Sequence, residues 1–577
     1  VKQARAIKQL SYHEAMELSH FGAKVIYPPT LQPVAEKNIP VVVKNTFQPN
    51  EPGTFISNDS ASTGEVVRGI SYIENIALLT LEGSGMIGIP GYSKKLLSTL
   101  AKAKINVIMM TQASSEHSIC IGIENDLAAQ AKKLIEKDFD YEIETQRINP
   151  ISIENDLSII ALVGEKMKSF QGISGKMFSA LGRNNVNVKA IAQGASERNI
   201  TAVIDSTNTK QALNILHEAF FEEDIKQINL FITGVGNVGS KLIEQLNSQK
   251  EYLQNQLRLN IKVSGISNSR KMLIDANGID LDHWDELLDK GEKADPSTFF
   301  DHIKNLNLRN SIFVDNTANE DIAHTYPPFL KSSISVVTCN KIAAAETYEY
   351  YSHLKQLART YNAPYLFETN VGAGLPIIDT LNHLITSGDK VHTIQAILSG
   401  SLNFVFNEFN DKTTFREVVQ QAMDAGFTEP DPKIDLSGVD VARKILILAR
   451  ESGLQMELSD IENESFLPQE CLDTKDNESF LSSLDDHNDH FKSLFSSAAS
   501  KNCRLKYVAE LVDGKAKVGL KEIPNGHDFY NLSGSDNIVL FYTDRYKDQP
   551  LIVKGAGAGG EVTASGIFAD IIRIAKR

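Results

Sequence analysis

The chain has 577 residues, 42% of them hydrophobic and 23% charged, with a formal net charge of −15. That length exceeds a single core and predicts roughly three to five domains, while the acidic balance argues against nucleic-acid or anionic-membrane partners. No apolar run approaches the ~18–20 residues of a membrane span and no signal peptide is visible; the scattered Cys120, Cys339, Cys471 and Cys503 lack metal-ligand spacing, which fits free thiols in a reducing cytoplasm.

The chain starts at Val1 rather than a methionine, so it reads as a piece of a longer one. Residues 1–66 ("LSYHEAMELSHFGAKVIYPPTLQPVAEKNIPVVVKNTF…") form a first segment. A repeat follows, with an ungapped offset of 81 residues. Gly83 falls on Gly164, Gly91 on Gly172, Asn106 on Asn187 and Gln112 on Gln193. Each unit reads as strand ("NIALLTL", "LSIIALV"), glycine-bearing loop, amphipathic helix, two strands and a final helix. That βαββα order predicts two ferredoxin-like (βαββαβ) units, 67–148 and 149–225. The pair resembles ACT domains, which implies amino-acid binding, with Gln112 and Gln193 as effector ligands because an amide both donates and accepts. The same glutamines also suit plain strand-end caps. The first segment resembles the C-terminal edge of an aspartokinase catalytic domain. No glycine-rich, lysine-bearing phosphate loop accompanies it, so kinase activity is not expected of this chain.

At 228–240, "INLFITGVGNVGS" places Gly234, Gly236 and Gly239 in GxGxxG spacing between an apolar strand and a helix. With Asn237 and Val238 this is a dinucleotide-binding turn: the glycines let backbone N–H groups approach a pyrophosphate at the helix N-terminus. A Rossmann-type domain is predicted over 226–368. Its second strand ends in "SNSRK" without the acid that would hold a ribose 2′-OH. Ser267, Arg270 and Lys271 therefore favour the 2′-phosphate of NADP, with NAD as the alternative. Thr317, Asn340 and Lys341 end later strands, where open α/β sheets bind ligands.

Between 369 and 530 an α+β catalytic and dimerisation domain is expected, with 531–577 returning to the nucleotide domain. Within it, "GFTEPDPKIDLSGVDVARK" (426–444) sets Glu429, Asp431, Asp435 and Asp440 ahead of Lys444. Ser437 and Asp440 have capping-box spacing. Asp440 and Lys444 sit at i, i+4, worth only about 0.2–0.5 kcal/mol on a solvated helix. Local physics alone leaves a helix cap and an active site equally open. The acidic, serine-rich 455–500 segment reads as a peripheral helical insertion, with His487 and His490 facing solvent.

Residues 228–577 resemble homoserine dehydrogenases, through "FETNVGAGLPIIDTL", "LSGSLNFVFNEF", the 426–444 stretch and "IVKGAGAGGEVTASGIFADI". The whole order resembles the bifunctional aspartokinase–homoserine dehydrogenase family without most of its kinase domain. That resemblance implies nicotinamide-dependent interconversion of aspartate 4-semialdehyde and homoserine, with threonine as effector and a homodimer or homotetramer as assembly. It implies Lys444 as catalytic acid/base with Asp435 beside it. Glu429, Asp440 and Lys341 then hold substrate or orient the lysine, Lys341 also touching cofactor. It further implies a monovalent cation, sodium, on the Glu368 side chain or carbonyl and the carbonyls of Val371, Ala373 and Leu375, a donor set suited to a hard ion. Two rivals stand beside this reading. One is a regulatory binding protein on an inactive dehydrogenase-like scaffold. The other is a semialdehyde dehydrogenase, which needs a nucleophilic cysteine that only Cys339 is placed to supply.

Overall fold

The computed structural model describes residues 6–22, 25–58, 66–112, 117–194, 198–221, 225–428 and 431–576. It divides into two compact units, 1–223 and 224–577.

In the first unit, β1 (Gln9–Ser11), β2 (Val41–Val43) and β3 (Thr54–Ser57) make a small sheet of order β1-β3-β2. Ser11 and Glu14 close a capping box on the helix Tyr12–His20, fixing its start. The repeat forms one six-stranded antiparallel sheet of order β5-β6-β4-β7-β9-β8, from β4 (Gly69–Glu82), β5 (Met109–Gln112), β6 (Ser118–Glu124), β7 (Ser152–Val163), β8 (Val188–Ala192) and β9 (Asn199–Asp205). Two strands serve both halves. Ile76–Glu82 of β4 lies between β6 and the start of β7, whereas Gly69–Ile73 of β4 pairs only with Ile159–Val163. Each half therefore takes its fourth strand from the other's first. The duplicated helices Tyr92–Lys102 and Ile173–Arg183 bury Leu96/Leu100 and Met177/Leu181 against this sheet. Its other face packs on Leu10, Tyr12, Ala15 and Leu18 of the leading segment.

The second unit holds two sheets. The first has order β13-β12-β11-β10-β14-β15-β16, from β10 (Lys226–Thr233), β11 (Leu259–Ser267), β12 (Lys271–Ile274), β13 (Glu292–Lys293), β14 (Ser311–Asp315), β15 (Ser335–Thr338) and β16 (Tyr365–Leu366). β11, β10, β14, β15 and β16 run parallel, and the chain reverses its direction of spread at β10 and β14, where such sheets bind ligands. The second sheet, order β18-β20-β19-β17-β21-β22, comprises β17 (Val391–Ile397), β18 (Glu462–Glu464), β19 (Cys503–Val512), β20 (Lys515–Pro524), β21 (Asp536–Thr543) and β22 (Leu551–Ala556). The return to the nucleotide sheet comes later than residue 531, because β21 and β22 complete this second sheet. Only the last helix, Gly560–Ala575, buries Ala564, Ile567 and Ile571 in the core around β10 and β14. The 455–500 segment is less peripheral than its polarity predicts: Phe480, Leu484 and Phe491 enter the main core at helical spacing. His487 is half-buried against the Ser483 carbonyl at 2.9 Å, while His490 is exposed. No helix among the described residues is long and apolar enough to cross a membrane.

Candidate active site

The helix that carries Lys444 starts where the chain turns left-handed. Gly438 has φ +75° and caps the helix Val439–Glu451. A Cβ there would lie 1.9 Å from the Tyr507 hydroxyl, so only glycine fits. The expected Ser437 cap is thus displaced by one residue. Ser437 Oγ instead donates to the Ile434 carbonyl, because the short helix Pro432–Leu436 runs almost into the next one. The Lys444 helix is buried on nearly every side, and this overturns the solvated-pair picture of Asp440 and Lys444.

Lys444 is 8% exposed. Its Nζ lies 2.8 Å from Asp440 Oδ2 and donates to the Leu398 carbonyl at 2.7 Å. The other Asp440 oxygen, Oδ1, lies 3.2 Å from Lys341 Nζ, delivered from the loop after β15. One carboxylate therefore bridges two ammonium groups that stand 103 residues apart in sequence. Burial pushes the Lys444 pKa down; Asp440 opposes this and Lys341 reinforces it. For Asp440, burial works upward, but Lys444 and Lys341 together hold the carboxyl well below its usual range. Of the three N–H donors on Lys444, two are spent on Asp440 and Leu398, which leaves one for a bound oxygen. Asp435 is close enough to favour the Lys444 charge and accepts from Ser401 Oγ at 3.0 Å. Ser399 Oγ in turn lies 2.9 Å from Ser401 Oγ and caps the helix Gly400–Glu408. Glu429 lies outside the described residues.

The nucleotide turn sits at the C-terminal end of β10. Gly234 has φ +88°, and a Cβ on Gly239 would lie 2.0 Å from the Gly234 carbonyl, so both glycines are required for strand-to-helix packing. A Cβ on Gly236 would meet nothing within 4 Å, leaving the open side from which a pyrophosphate can approach the helix Asn237–Ser248. Val238 packs at the edge of the nucleotide-domain core. Beside the turn, a cavity of about 340 Å³ is lined by Gly234, Ser267, Asn268, Ser269 and Thr317. The charges expected for a 2′-phosphate divide here. Arg270 is exposed at the turn, whereas Lys271 Nζ donates to the Gly291 carbonyl at 2.9 Å and is drawn away from the cavity. Asp315, fully buried, ties the strand-end loops together: it accepts from Tyr326 Oη at 2.6 Å, Thr317 N at 2.8 Å and Asn340 Nδ2 at 3.1 Å. The C-terminal glycine loop comes back to this turn, since a Cβ on Gly560 would lie 2.6 Å from Asn237 Oδ1.

The Glu368 carboxylate is turned toward the helix that follows it. Its oxygens accept from Ile378 N at 2.7 Å and Asp379 N at 2.8 Å, capping the helix Ile377–Thr386, and Arg573 Nη1 lies at 3.4 Å. The Leu375 carbonyl accepts from Ile377 N at 2.9 Å. Of the two options for Glu368, the side chain is thereby spent. Burial, with Asp570 adding, pushes the Glu368 carboxyl up to about 8. Cys339 lacks the low thiol pKa that an activated nucleophile shows: burial pushes its thiol up to about 12. In the first unit Ser93 Oγ donates to Gln112 Oε1 at 3.4 Å and Ser174 Oγ to Gln193 Oε1 at 2.9 Å, the same contact repeated at the 81-residue offset. Both glutamines line a groove of about 740 Å³ with Glu17 and His20.

Sequence reasoning missed Leu398, Ser401 and Asn537, whose Nδ2 donates to the Leu398 carbonyl at 3.3 Å. "LSGSLNF" was visible as a motif, but nothing in it reveals that a main-chain carbonyl holds a lysine.

The chain matches the family described as "Homoserine dehydrogenase" over residues 376–572, its "NAD binding domain" over 234–368, and "ACT domain" over 79–139 and 160–220. It is 42% identical over 574 residues to a bifunctional aspartokinase/homoserine dehydrogenase of Haemophilus influenzae, covering 99% of this chain and 70% of that protein. It is 41% identical over 584 residues to a chloroplastic bifunctional aspartokinase/homoserine dehydrogenase of Arabidopsis thaliana, covering 100% of this chain and 64% of that one. The chain thus spans about two thirds of the length of such relatives. Among solved structures, a Candida auris protein of unknown function aligns with TM-score 0.56 at 35% identity, over 61% of this chain and 99% of the other. A putative homoserine dehydrogenase of Archaeoglobus fulgidus aligns with TM-score 0.50 at 22% identity, over 60% and 99%, a likeness of fold.

Proposed function

The chain belongs to the bifunctional aspartokinase/homoserine dehydrogenase family, and on that premise we propose that its second unit interconverts aspartate 4-semialdehyde and homoserine with a nicotinamide coenzyme. The observation that carries this reading is the convergence of Lys341, Asp440 and Lys444. When bound, the coenzyme supplies or accepts the hydride, and the glycine turn, the cavity beside it and Thr317 form a cradle that suits it. Arg270, exposed at the end of β11, favours NADP over NAD.

Lys444 holds the proton. Its uncommitted N–H meets the aldehyde oxygen, and transfer of that proton neutralises the alkoxide as it develops. Asp440 keeps the ammonium charged despite burial, and Lys341 adds a second positive charge beside the same carboxylate. Asp435, oriented by Ser401, holds the substrate amino or hydroxyl group together with Glu429. A sodium-like cation would rest on backbone carbonyls of the 368–375 turn, Val371 and Ala373 among them, without the Glu368 carboxylate. Threonine is the effector, bound by Gln112 and Gln193 beside their paired serines. The setting is cytoplasmic and the assembly a homodimer or homotetramer, which mass photometry reads directly.

The test is NADPH oxidation with aspartate semialdehyde, with and without threonine. Lys444→Ala should lower turnover by at least ~10²–10³-fold, the scale of general acid catalysis, and leave NADPH binding intact. A folded protein without turnover sinks the reading, and an active Lys444→Ala removes the acid/base assignment.

A further inference from the structure

Lys506 on β19 has no exposed surface. Its Nζ donates to Asn403 Oδ1 at 2.9 Å, Asn407 Oδ1 at 2.5 Å and the Leu532 carbonyl at 2.7 Å. All three acceptors are neutral. Burial, with Arg504 adding, pushes the pKa down to about 8. A buried ammonium without a counter-charge costs stability that an apolar side chain of similar length would not. What this ammonium does is hold two segments together.

The first segment is the helix Gly400–Glu408, which bears Asn403 and Asn407 one turn apart. The second is the loop between β20 and β21. Beyond the Leu532 contact, Asn403 Nδ2 donates to the Gly534 and Asp536 carbonyls at 3.0 and 3.3 Å, and Asn407 Nδ2 to Gly534 at 3.1 Å. Lys506 fixes both amides with their oxygens toward itself and their N–H groups toward the loop. Each segment then leads to the active site. The helix begins at Ser399–Ser401, and Ser401 orients Asp435. The loop runs into Asn537, whose amide shares the Leu398 carbonyl with Lys444.

We propose that Lys506 is a positioning residue for the dehydrogenase reaction: its ammonium locks the Gly400–Glu408 helix to the 525–535 loop and thereby fixes Leu398 and Ser401, the groups that hold Lys444 and Asp435. This rests on the function proposed above. Lys506 touches no substrate, so its removal acts on turnover through those two groups and leaves the nucleotide cradle alone.

A double-mutant cycle on the full chain tests it, with kcat for aspartate semialdehyde reduction and NADPH affinity by fluorescence measured for wild type, Lys506→Met, Ser401→Ala and the double variant. Lys506→Met should lower kcat ~10–100-fold, the scale of an ångström-sized misplacement, with NADPH affinity unchanged. In the Ser401→Ala background the same substitution should add less than ~3-fold, since the two act along one route. Losses that multiply across the cycle, or a Lys506→Met protein as fast as wild type, overturn the proposal. If Lys506→Met does not fold, Asn407→Ala decides: a kcat loss that vanishes beside Ser401→Ala supports the lock, and an unchanged kcat overturns it. A folded wild type without turnover would defeat the proposed function first, and the positioning role with it.

Discussion

Asp440→Asn probes the electrostatics of the site, because it keeps the shape of the side chain and one acceptor oxygen while removing the one negative charge between Lys341 and Lys444. At the 2.8 Å separation, Coulomb's law with an effective dielectric of ~20 gives about 6 kcal/mol between unit charges. The carboxylate is about one-third open to water, at 35% exposure, so screening reduces this to roughly 2–3 kcal/mol, or about 2 pKa units. The sign is fixed by the surroundings. Burial and Lys341 already push Lys444 down, and the group that pushes back most is lost, leaving Asp435 as the smaller opposing charge. Reduction needs Lys444 protonated, so the alkaline limb of kcat against pH should move ~1–2 units lower. The loss should be ~10–100-fold near the wild-type alkaline limb and small at pH values well below it. Homoserine oxidation needs the same group deprotonated, so its acid limb should move in the same direction, leaving oxidation the less impaired at neutral pH. Stopped-flow NADPH absorbance in both directions reads the two limbs. Limbs that stay put in a folded Asp440→Asn protein would refute Lys444 as the group being titrated.

Gly239→Ala should lower stability by about 1–3 kcal/mol in urea titration, since its methyl strikes the Gly234 carbonyl; Gly236→Ala, facing open space, should leave stability alone and weaken only NADPH binding. Arg270→Ala should raise the KM for NADPH several-fold and leave that for NADH unchanged; equal effects on both would remove the NADP preference. Glu368 has its folded pKa raised to about 8, so the folded state holds a proton that the unfolded state releases. Stability should therefore decline as pH rises from the ordinary carboxyl range to about 8, and Glu368→Gln should flatten that slope in urea midpoints measured across it.

The features legible in the sequence were those written in local spacing. The 81-residue offset matched Gln112 with Gln193, and the structure adds that each accepts from a serine at the same offset, Ser93 and Ser174. The glycine turn was equally plain. What stayed hidden was long-range. The i, i+4 spacing of Asp440 and Lys444 describes a surface pair until burial and Lys341, which comes from another sheet, change its meaning. Glu368 reads as a cation ligand until the helix that follows presents two N–H groups to it. Lys506 sits in "CRLKYVAELV", where alternation predicts a solvent-facing lysine, and the segments that cover it arrive from residues around 403 and 532. Chain order does not carry such convergence.

The strands β4 and β7 bear on how the duplicated unit can evolve and respond. These strands of 14 and 12 residues run through both halves, and each bends at a left-handed residue, Asn75 (φ +62°) or Asp156 (φ +57°), where their register shifts. Excising either half strips the other of its fourth strand, the edge strand it borrows. The repeat should unfold in a single cooperative step, with no state in which one half survives alone. Gln112 and Gln193 line one groove at the ends of β5 and β8, each joined through one strand to this shared ribbon, so a ligand bound there, as proposed above, would load both halves at once.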